Sequence, residues 1–303
     1  MLVKKFAPFF VILAAILWGI DGVALRPELY SLPVPLVVFI ESTIATVLLS
    51  LIFRRKRSEL KVLKTKDWLS FCAVALLGGA IGTMAITKAL FYVNYVNLSI
   101  VVLIQKLQPV FALSMAALLL KEKLSKKFFI WASFAILGAY IMTFGFSIPD
   151  INTDEETIYA TIYALIAAFS FAASTVFSKR ALKNVSNEIG TYLRFLFSSI
   201  ILFILVIILG ELPALAEVTQ RQWIVFLLIA FTTGGTAIYL YYYGLKHISA
   251  SASSIYELFF PLTAIVLEYA LRDNILSWIQ WGGVIILIWS IYKVIELRRS
   301  KIM

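Results

Sequence analysis

The sequence predicts an all-α integral membrane protein in which ten transmembrane helices form two inverted repeats of five. Three observations carry this expectation. The chain of 303 residues is 61% hydrophobic and only 15% charged, with a mean hydropathy of +0.93. Soluble domains are roughly half apolar and about a quarter charged, so this chain partitions into lipid. Second, ten apolar runs reach the roughly 20 residues that span a bilayer as helix. Third, sequence landmarks recur at a fixed register between the two halves.

The ten runs lie at about 6–25, 34–53, 68–91, 96–120, 127–146, 157–178, 189–209, 222–244, 250–271 and 277–296. None alternates apolar with polar residues, as barrel strands would. The first run begins after Lys4-Lys5 and carries Trp18 and Asp21. It is too long for the apolar region of a signal peptide and reads as a membrane helix. Gly82 matches Gly234, Pro109 matches Pro261, and Leu124-Ser125 matches Leu276-Ser277 at one common offset. Because each half has an odd number of spans, the second copy enters the membrane from the opposite side. The expected organisation is a first repeat over 1–146, an acidic external loop over 147–156, and a second repeat with a tail over 157–303.

The net charge of +10 does not point to nucleic acid, because the basic residues sit in short clusters between apolar runs. Most of the 27 lysines and arginines fall in loops on one side. Examples are Arg54-Arg55-Lys56-Arg57, Lys121 to Lys127, Lys179-Arg180 and Arg298-Arg299. By the positive-inside rule that side is cytoplasmic. Both termini are then cytoplasmic, in a multi-pass protein of the cell (inner) membrane. Trp68, Trp223, Trp278 and Trp281 stand at predicted helix starts, where amphipathic rings favour the headgroup level. One cysteine, Cys72, and one histidine, His247, argue against a disulfide framework or a Cys/His metal site. No cofactor is expected. The absence of a GxxxxGK[ST] stretch argues against ATP hydrolysis by this chain.

Ionisable groups inside the spans are the functional signal. Asp21, Glu41, Lys88, Lys106, Arg194 and Glu257 all fall within apolar runs. Each unpaired charge at a helix centre costs about 2.5–3.5 kcal/mol on insertion scales, so such groups face a protein interior or a water-filled path and pair with one another. Asp21, beside Trp18 and near Lys106, is expected to meet a cationic group of a substrate or a coupling proton. Asn97, Val101, Gln105 and Gln108 share one face of the fourth span. Gln105 and Glu257 are counterparts in the two repeats and are the expected substrate contacts. Pro109 and Pro261 each remove a backbone hydrogen bond and are the expected hinges. Trp18, Tyr92, Tyr239 and Tyr256 are placed near the path, since an aromatic wall suits a cation or a flat ring. The substrate-binding set therefore comprises Trp18, Asp21, Glu41, Lys88, Tyr92, Gln105, Lys106, Tyr239, Tyr256 and Glu257.

The Trp18-Gly19 pair, Arg194, and the stretch from Pro109 to Lys121-Glu122-Lys123-Leu124-Ser125 resemble the EamA-type drug/metabolite transporter superfamily over essentially the whole chain. The resemblance implies two five-helix repeats and carriage of small metabolites, often amino acids or other polar solutes, commonly as efflux. Three positions depart from the family pattern. Asp21 stands where a neutral amide is common, Glu41 where an arginine is common, and Asn274 where the second copy of the Pro-to-Glu stretch would carry an acid.

The expected function is secondary active transport of small polar metabolites such as amino acids or amines by alternating access, export being the expected direction. The partners are a small-molecule substrate, the lipid bilayer and a coupling proton. The alternatives are a flippase for a lipid-linked head group and a membrane enzyme. A channel would need a continuous polar lining, and an enzyme a cluster of nucleophile, base or metal ligands; the sequence offers neither.

Overall fold

The computed structural model describes residues 2–92, 101, 104–147, 155–272 and 277–299. All regular structure among the described residues is helical. The membrane helices are α1 (Phe6–Leu29), α2 (Val34–Ile52), α3 (Thr65–Leu90), α4 (Gln108–Leu119), α5 (Lys126–Phe144), α6 (Glu155–Ala181), α7 (Asn187–Ile208), α8 (Gln220–His247), α9 (Ala250–Leu267) and α10 (Trp278–Leu297). Nine of these are long and apolar enough to cross a membrane, and α4 is a shorter apolar helix. The predicted fourth span, 96–120, and the acidic loop, 147–156, fall partly outside the described residues, as do Asn97 and Asn274.

Helix packing obeys a pseudo-twofold relation between α1–α5 and α6–α10. The α3–α6 contact has its counterpart in α8–α1, and the α4–α6 contact in α9–α1. The pairs α2–α7 and α5–α10, which such an axis maps onto themselves, are both extensive. This is the geometry of inverted five-helix repeats.

Small residues set how closely helices approach, since lipid supplies no hydrophobic drive between them. Ala14 and Ala15 of α1 and Ala167 and Ala168 of α6, matched in the two repeats, are fully buried. At the α5–α10 crossing a Cβ on Gly138 would stand 2.7 Å from the Leu287 backbone nitrogen. One on Gly283 would collide with the Met142 backbone nitrogen. The outer surface is apolar, with Leu51, Leu118, Ile208 and Ile285 exposed. In water such a belt would be anomalous; in a bilayer it faces acyl chains. Trp278 is 91% exposed, at the start of α10, as a headgroup anchor requires.

Several helices are irregular in register with one another. Short π-helical stretches interrupt α1 at Asp21–Leu25, α3 at Ala75–Ile81 and α8 at Ala230–Gly234. The α3 and α8 stretches nearly coincide under the repeat relation. Before α4 the chain makes a turn at Lys106-Leu107, and within α9 a turn at Glu257-Leu258. Pro109 and Pro261 follow these two turns. Proline has no N–H and clashes with the carbonyl four residues earlier, so the helix ends before it and restarts around it.

Candidate functional site

A cavity of about 260 Å³ lies where these irregular stretches converge. It is lined from α1 by Trp18, Asp21 and Arg26, from α2 by Glu41, from α3 by Gly79 and Thr83, and from α7 by Arg194. Gln105 and Gln108 enter at the α4 turn, Thr233 and Tyr241 from α8, and Glu257 at the α9 turn. Phe171, Phe195 and Phe260 complete an aromatic wall with Trp18 and Tyr241. The Trp18 and Tyr241 ring centroids are 5.3 Å apart. π-Helical bulges and broken helices put unusual backbone at this site, which membranes tolerate only where it is buried in protein or lines a cavity.

Two polar clusters mark the cavity. In the first, Arg26 donates to Asp21 Oδ2 from Nε at 2.9 Å and from Nη2 at 2.7 Å. It also reaches Glu41 Oε2 at 3.4 Å, while Thr233 Oγ1 donates to Asp21 Oδ1 at 3.1 Å. Asp21 and Glu41 are both 8% exposed. Two carboxylates thus share one guanidinium, leaving one acidic charge in excess when both are ionised. In the second cluster, Glu257 accepts from Tyr241 at 2.8 Å, from Gln108 Nε2 at 2.7 Å and from Ser253 at 3.3 Å. Thr175 and Tyr241 share a further bond of 2.8 Å. Arg194 donates weakly to Ser174 at 3.4 Å and to the Tyr242 hydroxyl at 3.5 Å.

These placements revise several expectations. Asp21 pairs with Arg26, five residues further along α1. Its expected neighbour Lys106 instead lines a smaller cavity of about 100 Å³. Lys106 is 4% exposed, and its Nζ has no hydrogen-bond partner among the described residues. Gln105 and Gln108 both reach the main cavity, but not as one continuous helix face, because the turn at Lys106-Leu107 separates them. Gln108 takes the bond to Glu257, and Gln105 Nε2 donates across to the Ala164 carbonyl at 2.8 Å.

Besides Lys106, four of the expected contact residues lie away from the main cavity lining. Lys88 is exposed, with Nζ 5.8 Å from the Tyr92 ring centroid. Tyr92 itself stacks on Tyr163 and Tyr159 of α6. Tyr239 stacks on Phe53 at the end of α2. Tyr256 is fully buried in the main apolar core. Each of the three tyrosines had two available roles, and which face packs inward is decided by neighbouring helices. Arg26, Gln108, Tyr241 and Thr233 are the residues the sequence reading left out of the site. A basic residue one turn beyond an intramembrane acid was the available signal for Arg26.

The face that carries the basic loops is tied by several polar contacts. Lys121 adopts a left-handed conformation, φ 55°, which turns the chain after α4. Glu122 then accepts from the Ala250 and Ser251 backbone nitrogens at 2.8 and 3.2 Å and from Ser251 Oγ at 2.6 Å. A carboxylate here satisfies orphan donors at the start of α9 and complements its dipole. Glu59 accepts from Ser186 N, Asn184 donates to Asp67, and Lys56 pairs with Glu188 at 2.9 Å. On the opposite face, Arg221 pairs with Glu28 at 2.6 Å and Gln222 donates to Ser31 at 2.9 Å.

The EamA-like transporter family model matches residues 5–144 and again residues 158–295. The chain belongs to the EamA-like transporter family. Among relatives of this EamA protein, the riboflavin transporter ImpX of Fusobacterium nucleatum is 43% identical over 288 residues. That alignment covers 95% of this chain and 96% of the relative. An uncharacterized transporter of Synechocystis is 27% identical, covering 88% of this chain and 77% of the relative. The uncharacterized transporter YoaV of Bacillus subtilis is 23% identical, covering 96% and 98%. A protein of known crystal structure superposes with a TM-score of 0.74 at 16% identity, covering 97% of this chain and 98% of that one; it shows the shared fold. This EamA chain is therefore a multi-pass membrane transporter.

Proposed function

We propose that this transporter carries riboflavin or a closely similar flat, neutral heteroaromatic molecule with a polyhydroxylated tail. The observation that carries the reading is the 43% identity, end to end, with a riboflavin transporter. The cavity supports it chemically. A tricyclic ring needs aromatic surface, which Trp18, Phe171, Phe195, Tyr241 and Phe260 supply. Its heteroatoms and hydroxyls need convergent donors and acceptors, which the Arg26 and Glu257 clusters supply. Mostly apolar pockets with a few placed polar groups are the usual form of such sites. This reading displaces amino acids and amines as the first substrates to test. The excess acid of the Asp21–Arg26–Glu41 cluster is the one feature that favours an amine.

The mechanism we propose is alternating access, with residues 1–146 and 157–303 rocking about the shared cavity and the turns before Pro109 and Pro261 acting as hinges. The broken helices meeting at the repeat interface support this. The clustering of lysine and arginine on the face tied by Glu122 supports cytoplasmic termini in the cell membrane. Two buried carboxyl groups on one guanidinium make that cluster the first place to look for proton coupling. The cavity between the two repeats supports a carrier ahead of an enzyme or a flippase.

Riboflavin fluorescence provides the test. Purified protein in nanodiscs is titrated into riboflavin, and counterflow of labelled riboflavin is followed in proteoliposomes loaded from either side. Saturable quenching with trans-stimulated exchange is expected. No quenching, together with thermal stabilisation by an amine or amino acid instead, overturns the flavin reading.

A further inference from the structure

The side cavity beside Lys106 has a donor–acceptor pattern that the transport reading alone does not use. It holds about 100 Å³, room for the edge of a ring or a few waters but not for a whole metabolite. Its polar lining is Lys106, Gln105, Gln108, Glu257 and Ser254. Ile86, Leu90 and the prolines Pro109 and Pro261 are among its apolar walls. Gln105, Gln108 and Glu257 also line the main cavity. The two spaces therefore share one polar wall, whose closing bond is Gln108 to Glu257 at 2.7 Å. Beyond it lies the buried Lys106 amine, with no partner among the described residues.

An amine at 4% exposure with no partner among the described residues is costly, and a ligand that accepts from it recovers that cost. The ligand cannot be a simple anion, because Glu257 faces the same space. Nor can it be a simple cation, because Lys106 does. What fits is a neutral planar edge that accepts on both flanks and donates between them, which is an imide, C(=O)–NH–C(=O). Its carbonyls take hydrogen bonds from Lys106 Nζ and a glutamine amide, and its N–H donates to the Glu257 carboxylate.

We propose that the Lys106 side pocket is an imide-recognition subsite that receives the pyrimidinedione edge of a flavin-type substrate through the Gln108–Glu257 door. The proposal rests on the flavin reading and adds which edge of the molecule is read. It makes the turns at Lys106-Leu107 and Glu257-Leu258 parts of the recognition site, since each places one of the reading groups. The ring then stacks in the aromatic main cavity, with the hydroxylated tail toward Asp21, Arg26 and Glu41.

The test compares riboflavin with N3-methylriboflavin, which lacks the imide N–H, and with lumiflavin, which lacks the hydroxylated tail but keeps the imide. Fluorescence quenching on wild-type protein in nanodiscs gives all three affinities without any variant. N3-methylation is expected to weaken binding at least tenfold, and lumiflavin to remain sensitive to the same methylation. Lys106→Met should abolish most of that discrimination, while Lys106→Arg retains part of it. Equal affinity for riboflavin and its N3-methyl analogue overturns this inference and leaves the flavin reading standing. No quenching by riboflavin itself removes both.

Discussion

Replacing Arg26 by glutamine is the sharpest perturbation of the site. Arg26 donates two hydrogen bonds to Asp21, at 2.7 and 2.9 Å, and one to Glu41 at 3.4 Å. All three side chains are about one-tenth exposed, at 11%, 11% and 10%. Losing the guanidinium strands two carboxylates, and removing one partner of a buried ion pair costs about 3–5 kcal/mol. The two acids do not suffer equally. Asp21 keeps the bond from Thr233, whereas Glu41 has no other hydrogen-bond partner among the described residues. Arg26→Gln should therefore lower the apparent melting temperature in detergent by on the order of 10 °C. Adding Glu41→Gln should recover more of that loss than adding Asp21→Asn. The assay is thermal unfolding followed by intrinsic fluorescence, with circular dichroism to check that helix content is kept. An Arg26→Gln protein that melts with wild type, or double variants that recover nothing, refutes the view that one buried guanidinium holds both acids.

Other variants probe separate parts of the structure. Glu257→Gln weakens the charged acceptor shared by Tyr241, Gln108 and Ser253; charged hydrogen bonds contribute about 1.5–3 kcal/mol, so flavin affinity should fall roughly 10- to 100-fold, read by fluorescence quenching. Glu122→Ala removes the acceptor for the start of α9 and should cost about 0.5–2 kcal/mol in the manner of a lost cap. Gly283→Leu at the α5–α10 crossing should destabilise the fold by about 1–3 kcal/mol through overpacking, seen as a lower melting temperature with the flavin affinity of the surviving folded fraction unchanged. Tyr239→Phe, on a residue that stacks against Phe53 away from the cavity, should leave substrate affinity within about twofold; a larger loss would place Tyr239 in the substrate site.

How far the site was legible in the sequence differs from residue to residue. Asp21, Glu41 and Glu257 stood out because a charge in an apolar run has few tolerable environments, and all three line the cavity. Pro109 and Pro261 marked the turns because proline cannot continue a helix's hydrogen bonding, whatever packs around it. Arg26 was missed because a basic residue near a span end reads equally well as a loop charge. The α1 π-helical stretch, starting at Asp21, carries the helix on, so that Arg26 turns back on that acid. Gln108 was underweighted for a related reason: periodicity assumes an unbroken helix, and the turn at Lys106-Leu107 changes which side chains face Glu257.

By itself the sequence determined the solvent, the all-helical architecture and the two-repeat plan, because a lipid environment leaves a backbone so few ways to satisfy its own polar groups. Hydropathy and the recurrence of Gly82, Pro109 and Leu124-Ser125 in the second half were sufficient for that. Only the tertiary structure decided which ionisable groups meet: Asp21 and Glu41 on Arg26, Glu257 on Gln108 and Tyr241, and Lys106 beside a small pocket with no hydrogen-bond partner among the described residues. Those pairings depend on helix rotation and on local bulges, and both are set by contacts between segments far apart in the chain. Residue types along any single helix carry almost no record of them.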